Sequence, residues 1–287
     1  MWGNHILSVL SVCTLVLDLV PVFRSRSYAF QSNQGTTFES ETDRQHFHNM
    51  ASVMQEANRL RKVMVEGKEA AMGCWQMIPG ANVARTLART GVDWVLVDCE
   101  HGNIDDAAMH DAVPAIAACG VSPIVRIPDN QGWMVKRALD SGAHGVLVPL
   151  LYTAEGAEQL YPNYCTNRKT KEAVENVNAI AAVPGIDVLF VGPFDLGNNI
   201  GHPVVAGVMH ENLHSTIAKV LKAANSAGKK AGIFCTSGEQ AKGYADQGFH
   251  MISVITDMHI LPQSVMAAVN KAKGQEDGPK LTGPYGK

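Results

Sequence analysis

The sequence predicts an α/β fold of the TIM (β/α)8 type that lacks the fifth strand and the adjoining loop and helix. From residue 70 onward, near-continuous apolar runs alternate with helical patterns, as in a parallel sheet covered by helices on its outer side. Seven such runs occur where a complete barrel needs eight. The gap falls at "YPNYCTNRKTKEAVEN", residues 161–176, where one helical pattern leads into another through a polar patch.

The predicted strands are short, and helical patterns such as "NVARTLART" and "ENLHSTIAKVLKAANSAG" lie between them. In chain order the strand runs are "AAMGCWQM", "DWVLVDCE", "SPIVRIP", "HGVLVPLL", "IDVLFVGPFDL", "KKAGIFCTS" and "FHMISVITD". The fourth and fifth runs flank the gap. We expect them either to pair directly with each other or to leave two open sheet edges, and both outcomes would lower stability.

The predicted domain organisation is an extension over residues 1–49, a barrel domain over residues 50–275 and a flexible tail over residues 276–287. The extension opens with an apolar run, residues 5–23. No Lys or Arg precedes this run and Asp18 interrupts it, which argues against both a secretory signal and a membrane-spanning helix. The polar stretch that follows lacks periodicity and is predicted to be a disordered linker. We expect a cytoplasmic protein without a membrane partner, the alternative being secretory or mitochondrial targeting through the extension.

Charge and cysteine usage narrow the possible partners. Lys and Arg number 24 against 27 Asp and Glu, so the net charge of -3 excludes a strongly basic nucleic-acid surface and favours small polar or anionic ligands. The 6 cysteines are spread singly, which predicts reduced thiols rather than a disulfide framework. Cys99 lies two residues before His101 and is a candidate nucleophile, but a structural thiol is the favoured interpretation.

Polar side chains are concentrated where the predicted strands end, which is where such barrels carry their chemistry. They are Trp75, Gln76, Asp98, Glu100, His101, Arg126 and Asp195. Carboxylates bind divalent cations, arginine holds anionic oxygens, and histidine transfers protons near neutral pH. Each residue also has a structural alternative: a histidine in a loop, an arginine in an ion pair, or an aspartate that caps a helix.

Several motifs, in order, resemble the HpcH/HpaI aldolases, which are metal-dependent aldolases of the phosphoenolpyruvate/pyruvate barrel superfamily. They are "VDCEHG", "PIVRIPD", "KRALDSGAHGVLVPLL", "KEAVENVNAIAAVPGIDVLFVGPFDLG" and "AGIF". The resemblance covers about residues 50–275. It implies a carbon–carbon lyase that cleaves or forms a 2-keto-hydroxy acid, with pyruvate and an aldehyde as the other side of the reaction. It also implies a divalent metal (Mg²⁺, Mn²⁺ or Co²⁺) and a homo-oligomer.

The resemblance further implies roles for three residues of the acid/base centre. His101 would be the acid/base of aldol cleavage, Arg126 would stabilise the enolate, and Asp140 would tune the histidine. Asp140 closes a predicted helix, and such helix ends lie at the opposite end of the barrel from the active face. Unless that helix is short or the loop after it folds back, we expect Asp140 to reach His101 through a neighbouring subunit.

A second implied group concerns the metal and the substrate. Asp195 would ligate the metal, and it would lie beside Gly192 and Phe194, whose backbone N–H groups would hold the pyruvate carboxylate. Lys169 stands where the family has a glutamate as the second metal ligand. Because a cation there repels a metal ion, Asp195 alone is expected to bind it only weakly.

Two alternatives to an active aldolase follow. One is a catalytically impaired member or truncated gene product that retains at most ligand binding or assembly. The other is a barrel enzyme that binds phosphate or carboxylate without metal. The C-terminal helix, with Leu261, Val265 and Met266 near one face, is predicted either to contact another subunit or to pack on its own barrel.

Overall fold

The computed structural model describes residues 12–16, 55–67, 69–149 and 172–275. Residues 12–16 are described by their backbone pairing alone. The strands are β1 (Val12–Val16), β2 (Ala71–Gln76), β3 (Trp94–Asp98), β4 (Ser122–Arg126), β5 (Gly145–Val148), β6 (Val188–Val191), β7 (Lys230–Phe234) and β8 (Met251–Thr256). Strands β2 to β8 coincide with the seven predicted apolar runs. The predicted helix "TAEGAEQL", the linker and the C-terminal tail lie outside the described residues.

Helices follow or precede most strands, as the alternating pattern predicts. They are α1 (Arg59–Glu66), α2 (Ala81–Ala88), α3 (Asp106–Ala117), α4 (Gly132–Asp140), α5 (Glu172–Glu175), α6 (Val177–Ala182), α7 (Pro193–Asn199), α8 (Glu211–Ser226), α9 (Gly238–Asp246) and α10 (Asp257–Ala272). Side chains cap several of their amino termini. Asp105, for example, accepts the Ala108 N–H at the start of α3, and Ser237 accepts the Gln240 N–H at the start of α9. Among the described helices, none is both long enough and apolar enough to cross a membrane.

The sheet closes into a barrel. Its strand order is β1-β5-β4-β3-β2-β8-β7-β6, and every pairing among β2 to β8 is parallel. The predicted fold class, a TIM-type barrel without the usual fifth strand, is therefore confirmed: seven of the described strands form a curled parallel sheet.

The eighth place in the barrel is taken by β1, which runs antiparallel to both of its neighbours. It pairs with β5 on one side and with β6 on the other, so it lies where the fifth parallel strand is missing. The expectation that β5 and β6 pair directly or leave two open edges is wrong. A segment far away in sequence satisfies both edges, and the strand-to-strand pattern from residue 70 onward contains no information about it.

Two apolar layers hold the barrel together. The interior is filled by large side chains from alternate strand positions, with α1 closing the amino-terminal end of the strands through Leu60 and Met64. A Cβ added at Gly73 would lie 2.1 Å from the Trp94 ring, so glycine is required there for that indole to fit. The second layer lies between the sheet and the surrounding helices. With the interior packed, ligand access is restricted to the carboxyl-terminal ends of the strands.

Candidate active site at the carboxyl ends of the strands

The candidate site is built around a buried ion pair between adjacent strands. Asp98 is the last residue of β3, Arg126 is the last residue of β4, and the parallel register places them side by side. Arg126 Nε donates to Asp98 Oδ1 at 2.8 Å and Nη2 donates to Oδ2 at 2.5 Å, with side chains 4% and 0% exposed. Such a bidentate pair fixes both the position and the plane of the guanidinium group.

Asp98 also shapes the turn that follows β3. Its Oδ1 atom accepts the backbone N–H groups of Glu100 at 3.0 Å and of His101 at 3.2 Å. A Cβ at Gly102 would lie 2.3 Å from the Asp98 carbonyl oxygen, so the turn needs glycine at that position. One buried carboxylate therefore positions both the arginine and the "EHG" segment.

Arg126 is held on two further sides. Its Nη1 atom lies 3.0 Å from Glu100 Oε2, and its Cζ atom lies 4.2 Å from the centre of the Trp75 ring. Glu100 is only 12% exposed, and its burial raises the pKa of the carboxyl to about 7 against the opposing effect of Arg126, with smaller contributions from other carboxylates including Asp195. The guanidinium thus lies among an aromatic face and two carboxylates, one of which titrates near neutral pH.

His101 lies at the outer edge of this group. Its Nε2 atom is 3.9 Å from Glu100 Oε2, and its side chain is 39% exposed. Partial burial lowers the pKa of the imidazole, Arg126 lowers it further, and Asp98 acts in the opposite direction. At neutral pH the ring is therefore mainly neutral and able to accept a proton.

Asp195 approaches the same region from β6. The helix α7 begins directly after that strand, with Gly192 as its N-cap, Phe194 in its first turn and Asp195 one residue further. The Asp195 charge contributes to the raised pKa of Glu100, which places the two carboxylates within electrostatic reach of each other. The structure thus brings together His101, Arg126 and the Gly192–Asp195 turn.

Other predicted residues are placed differently. Asp140 is the exposed last residue of α4 and precedes the amino-terminal end of β5, so within this chain it lies at the opposite end of the barrel from His101. Lys169 lies outside the described residues. Burial raises the pKa of the Cys99 thiol to about 12, which disfavours a thiolate nucleophile and supports a structural role.

One buried carboxylate near the site was not predicted from the sequence. Asp257, the first residue of α10, is buried and accepts the N–H groups of Met77, Ile78 and Met258. It thereby ties the loop after β2 to the end of β8. An aspartate directly after the N-cap Thr256 is the only signal in the sequence, and that pattern is common to ordinary helix starts.

Two buried side-chain atoms at the end of β2 lack a hydrogen-bond partner among the described residues. Trp75 Nε1 and Gln76 Oε1 are buried, and neither has a hydrogen-bond partner in the part of the chain that the structure describes. Gln76 uses its amide nitrogen to hold the following loop, donating to the carbonyl oxygens of Ile78 and Gly80. An unused donor and an unused acceptor thus remain at the end of β2, where a ligand would bind.

The described side chains do not by themselves make a metal site. Residues 55–67, 69–149 and 172–275 contain no group of three or more His, Cys, Asp or Glu side chains placed to hold an ion. Both Asp98 oxygens bond to Arg126, and Glu100 forms an ion pair with it.

Fold and site together define a TIM-type barrel with its polar centre at the carboxyl ends of the strands, the place of the active site in such enzymes. The sequence profile of the family "HpcH/HpaI aldolase/citrate lyase" matches residues 71–263. The chain is 32% identical over 250 residues to a hydroxypyruvate/pyruvate aldolase of Chromohalobacter salexigens, covering 74% of this chain and 97% of that protein. The corresponding aldolase of Roseobacter denitrificans is 31% identical over 240 residues, with 71% and 93% covered.

Solved structures agree with the sequence comparison. A HpcH/HpaI aldolase/citrate lyase family protein from Burkholderia cenocepacia superposes with a TM-score of 0.66 at 27% identity, covering 77% of this chain and 99% of that one. The chain belongs to the HpcH/HpaI aldolase/citrate lyase family, and by family it is an enzyme of the aldolase (lyase) class.

Proposed function

We propose that this protein is a carbon–carbon lyase that cleaves or forms a 2-keto-hydroxy acid, with pyruvate and an aldehyde as the smaller partners. The observation that carries the proposal is Arg126, buried at the carboxyl end of β4 and held by Asp98, Glu100 and Trp75 beside a largely neutral His101. Relatives at 31% and 32% identity are hydroxypyruvate/pyruvate aldolases, and this supports the same substrate class here.

Arg126 is suited to stabilising negative charge that develops during the reaction. Breaking the carbon–carbon bond leaves the electron pair on the pyruvate fragment as an enolate, and a positioned cation lowers the energy of that state. Because the guanidinium is already fixed by two carboxylates, little reorganisation is needed when charge appears. The network contributes orientation as well as charge.

His101 supplies the proton transfer in this proposal. In cleavage, the neutral imidazole accepts the proton of the substrate hydroxyl as the carbon–carbon bond breaks and the aldehyde carbonyl forms. In the reverse direction the imidazolium returns that proton to the aldehyde oxygen. The lowered pKa keeps the ring in its proton-accepting form at neutral pH.

Substrate positioning is assigned to the ends of β2 and β6. We propose that the carboxylate of the keto acid lies at the turn formed by Gly192, Phe194 and Asp195, as the family resemblance implies. The buried Trp75 Nε1–H and Gln76 Oε1, unpartnered among the described residues, are suited to a ligand oxygen and a ligand hydroxyl respectively.

For the divalent metal, we propose that Asp195 is a ligand and that affinity is low. Lys169 stands in sequence where the family has its second carboxylate ligand, and no convergent set of three ligands exists within the described part of the chain. The preferred ion, Mg²⁺, Mn²⁺ or Co²⁺, belongs to this proposal. A catalytically impaired barrel is the second candidate, favoured by the same two observations.

Assembly and location complete the proposal. Leu261 and Val265 on α10 are 55% and 54% exposed and Met266 is 37% exposed, so a large part of each side chain is open to a partner. We propose that this face contacts another copy in a homo-oligomer, which is also the route by which Asp140 would reach a His101. A fully active monomer would contradict it. We also propose a cytoplasmic location and a barrel domain of residues 50–275, to which the described strand β1 is added.

The decisive test measures pyruvate. Full-length protein is incubated with a 4-hydroxy-2-keto acid at several Mn²⁺ concentrations, and pyruvate is followed with a coupled dehydrogenase. His101→Asn should lower the rate by about 10²- to 10⁴-fold. The control His214→Asn, on the exposed face of α8, should leave it unchanged. Equal rates for both variants would contradict the role of His101. Folded wild-type protein that yields no pyruvate at any metal concentration would favour the impaired barrel.

A further inference from the structure

The place of the missing strand is occupied by part of the apolar run that precedes the barrel in sequence. Leu15 pairs with Leu147 of β5 on one side and with Val188 of β6 on the other. Thr14 likewise pairs with residues of both neighbours. The five residues "VCTLV" thus bridge two strands that are 40 residues apart in the chain, from Val148 to Val188.

Both neighbouring strands depend on such a partner. All eight residues of β5 and β6 are buried, and their backbone groups on the facing edges have no other strand to bond in the described fold. Buried backbone N–H and C=O groups without hydrogen bonds are costly, so an empty place between these strands is strongly disfavoured. Val, Cys, Thr and Leu are residue types suited to a buried strand.

The antiparallel direction of β1 determines which of its ends lies at the active face of the barrel. Because β1 is antiparallel to β6, Val12 pairs with Val191, the last residue of β6. The amino-terminal end of β1 therefore lies at the active side of the barrel. Residues 1–17 contain no Asp or Glu, and Asp18 follows the other end of the strand. β1 therefore supplies hydrogen bonds to the β6 strand that leads into Gly192, but no acidic ligand.

We propose that residues 12–16 are a permanent closing strand of the barrel, which replaces the missing fifth strand in the opposite direction. The occupant of the gap is this segment of the same chain. These five residues of the apolar run then have a structural role in the barrel. This inference concerns the fold, is independent of the aldolase activity, and is tested without an activity measurement.

The register allows a direct test with a native thiol. Cys13 pairs with Phe190, and residues opposite each other in an antiparallel pair have Cα atoms about 4.5–5.5 Å apart, within the range that a disulfide spans. Full-length Phe190→Cys is oxidised mildly and mapped by non-reducing peptide mass spectrometry. An intramolecular disulfide to Cys13 is expected. The matched control Leu189→Cys, one position away and on the other face of the strand, should not form it.

The other outcomes overturn the proposal. A disulfide that joins two chains would show that the segment closes another copy, and absence of the disulfide in folded Phe190→Cys would show that the gap is filled otherwise. If Phe190→Cys does not fold, the pair Thr14→Cys with Val148→Cys tests the β5 side by the same mapping. Absence of that disulfide in the folded double variant would overturn the proposal.

Hydrogen exchange provides a second, independent measurement on the full chain. Thr14→Pro removes one backbone donor from a strand that is bonded on both sides, whereas Thr14→Val keeps it. We expect Thr14→Pro to speed amide exchange in residues 145–148 and 188–191 by about tenfold to a hundredfold, with little change in β3 and β4. Identical exchange in both variants would refute a closing role.

Discussion

The buried pair between Asp98 and Arg126 makes a quantitative prediction. Asp98→Asn removes the negative charge and replaces one acceptor oxygen by an amide that donates, directly opposite an Arg126 donor. Both side chains are almost completely inaccessible, so water cannot substitute for the lost acceptor. Breaking a buried pair by removing one partner costs about 3–5 kcal/mol. Because Glu100 still lies 3.0 Å from Arg126, we expect the lower end, about 3 kcal/mol.

The same chain contains a matched control. Asp106 and Arg137 form a bidentate pair of the same residue types, but their side chains are 52% and 47% exposed. Solvent screens such a pair, so Asp106→Asn should change stability far less than Asp98→Asn does. The comparison holds residue chemistry constant and varies burial.

The assay is urea unfolding followed by far-ultraviolet circular dichroism, with thermal unfolding as a check. Asp98→Asn should lower the unfolding midpoint by about 6–12 °C, from about 2–4 °C per kcal/mol for a domain of this size. Asp106→Asn should stay near the wild-type midpoint. Equal shifts for the two variants would refute the argument that burial, rather than pairing itself, gives Asp98 its importance.

Two further predictions concern Glu100 and the barrel interior. The folded pKa of Glu100, about 7, lies above its ordinary value of 4.5, so the folded state holds its proton more tightly and wild-type stability falls as pH rises between these values. We expect the free energy of unfolding of the wild type, measured by urea unfolding relative to Glu100→Gln, to fall between pH 5 and pH 8. The decrease should approach about 3 kcal/mol. Separately, Gly73→Ala should destabilise by about 1–3 kcal/mol in the same assay, because the new Cβ would meet Trp94 at 2.1 Å. Gly238→Ala, with no atom within 4 Å, is its control.

Each of these two predictions has a contradicting result. If the stability difference between wild type and Glu100→Gln is the same at both pH values, Glu100 does not titrate in the window between its two pKa values. If Gly73→Ala and Gly238→Ala unfold at the same urea concentration, the barrel interior accommodates the added methyl group, and the packing argument around Trp94 is wrong.

Much of the barrel is a local property of the sequence. The runs that became β2 to β8 are each a few buried residues between turn signals, and short-range patterns are sufficient to predict them. The polar residues at the ends of those runs follow from the same logic, because parallel strands carry their carboxyl ends to one side. The family resemblance added roles for His101 and Arg126, and the structure places both on that side.

Some features of the site could not be predicted without knowing the register between neighbouring strands. In the sequence, Asp98 is one acidic residue among three near the second run, and nothing there pairs it with Arg126, 28 residues away. The parallel register aligns these two residues and buries them together. Asp257 reaches Met77 across 180 residues for a similar reason, since β2 and β8 become neighbours only when the sheet closes.

The sequence by itself determined the seven parallel strands, the polar face and the absence of the family's fifth strand. Only the tertiary structure decided what fills that absence. Strand pairing depends on which backbone edges are unsatisfied after the rest of the chain has folded, and residues 12–16 carry no local sign of the two edges to which they bond. Residues 12–16, part of the apolar run before the barrel domain, lie in the barrel wall of the folded chain.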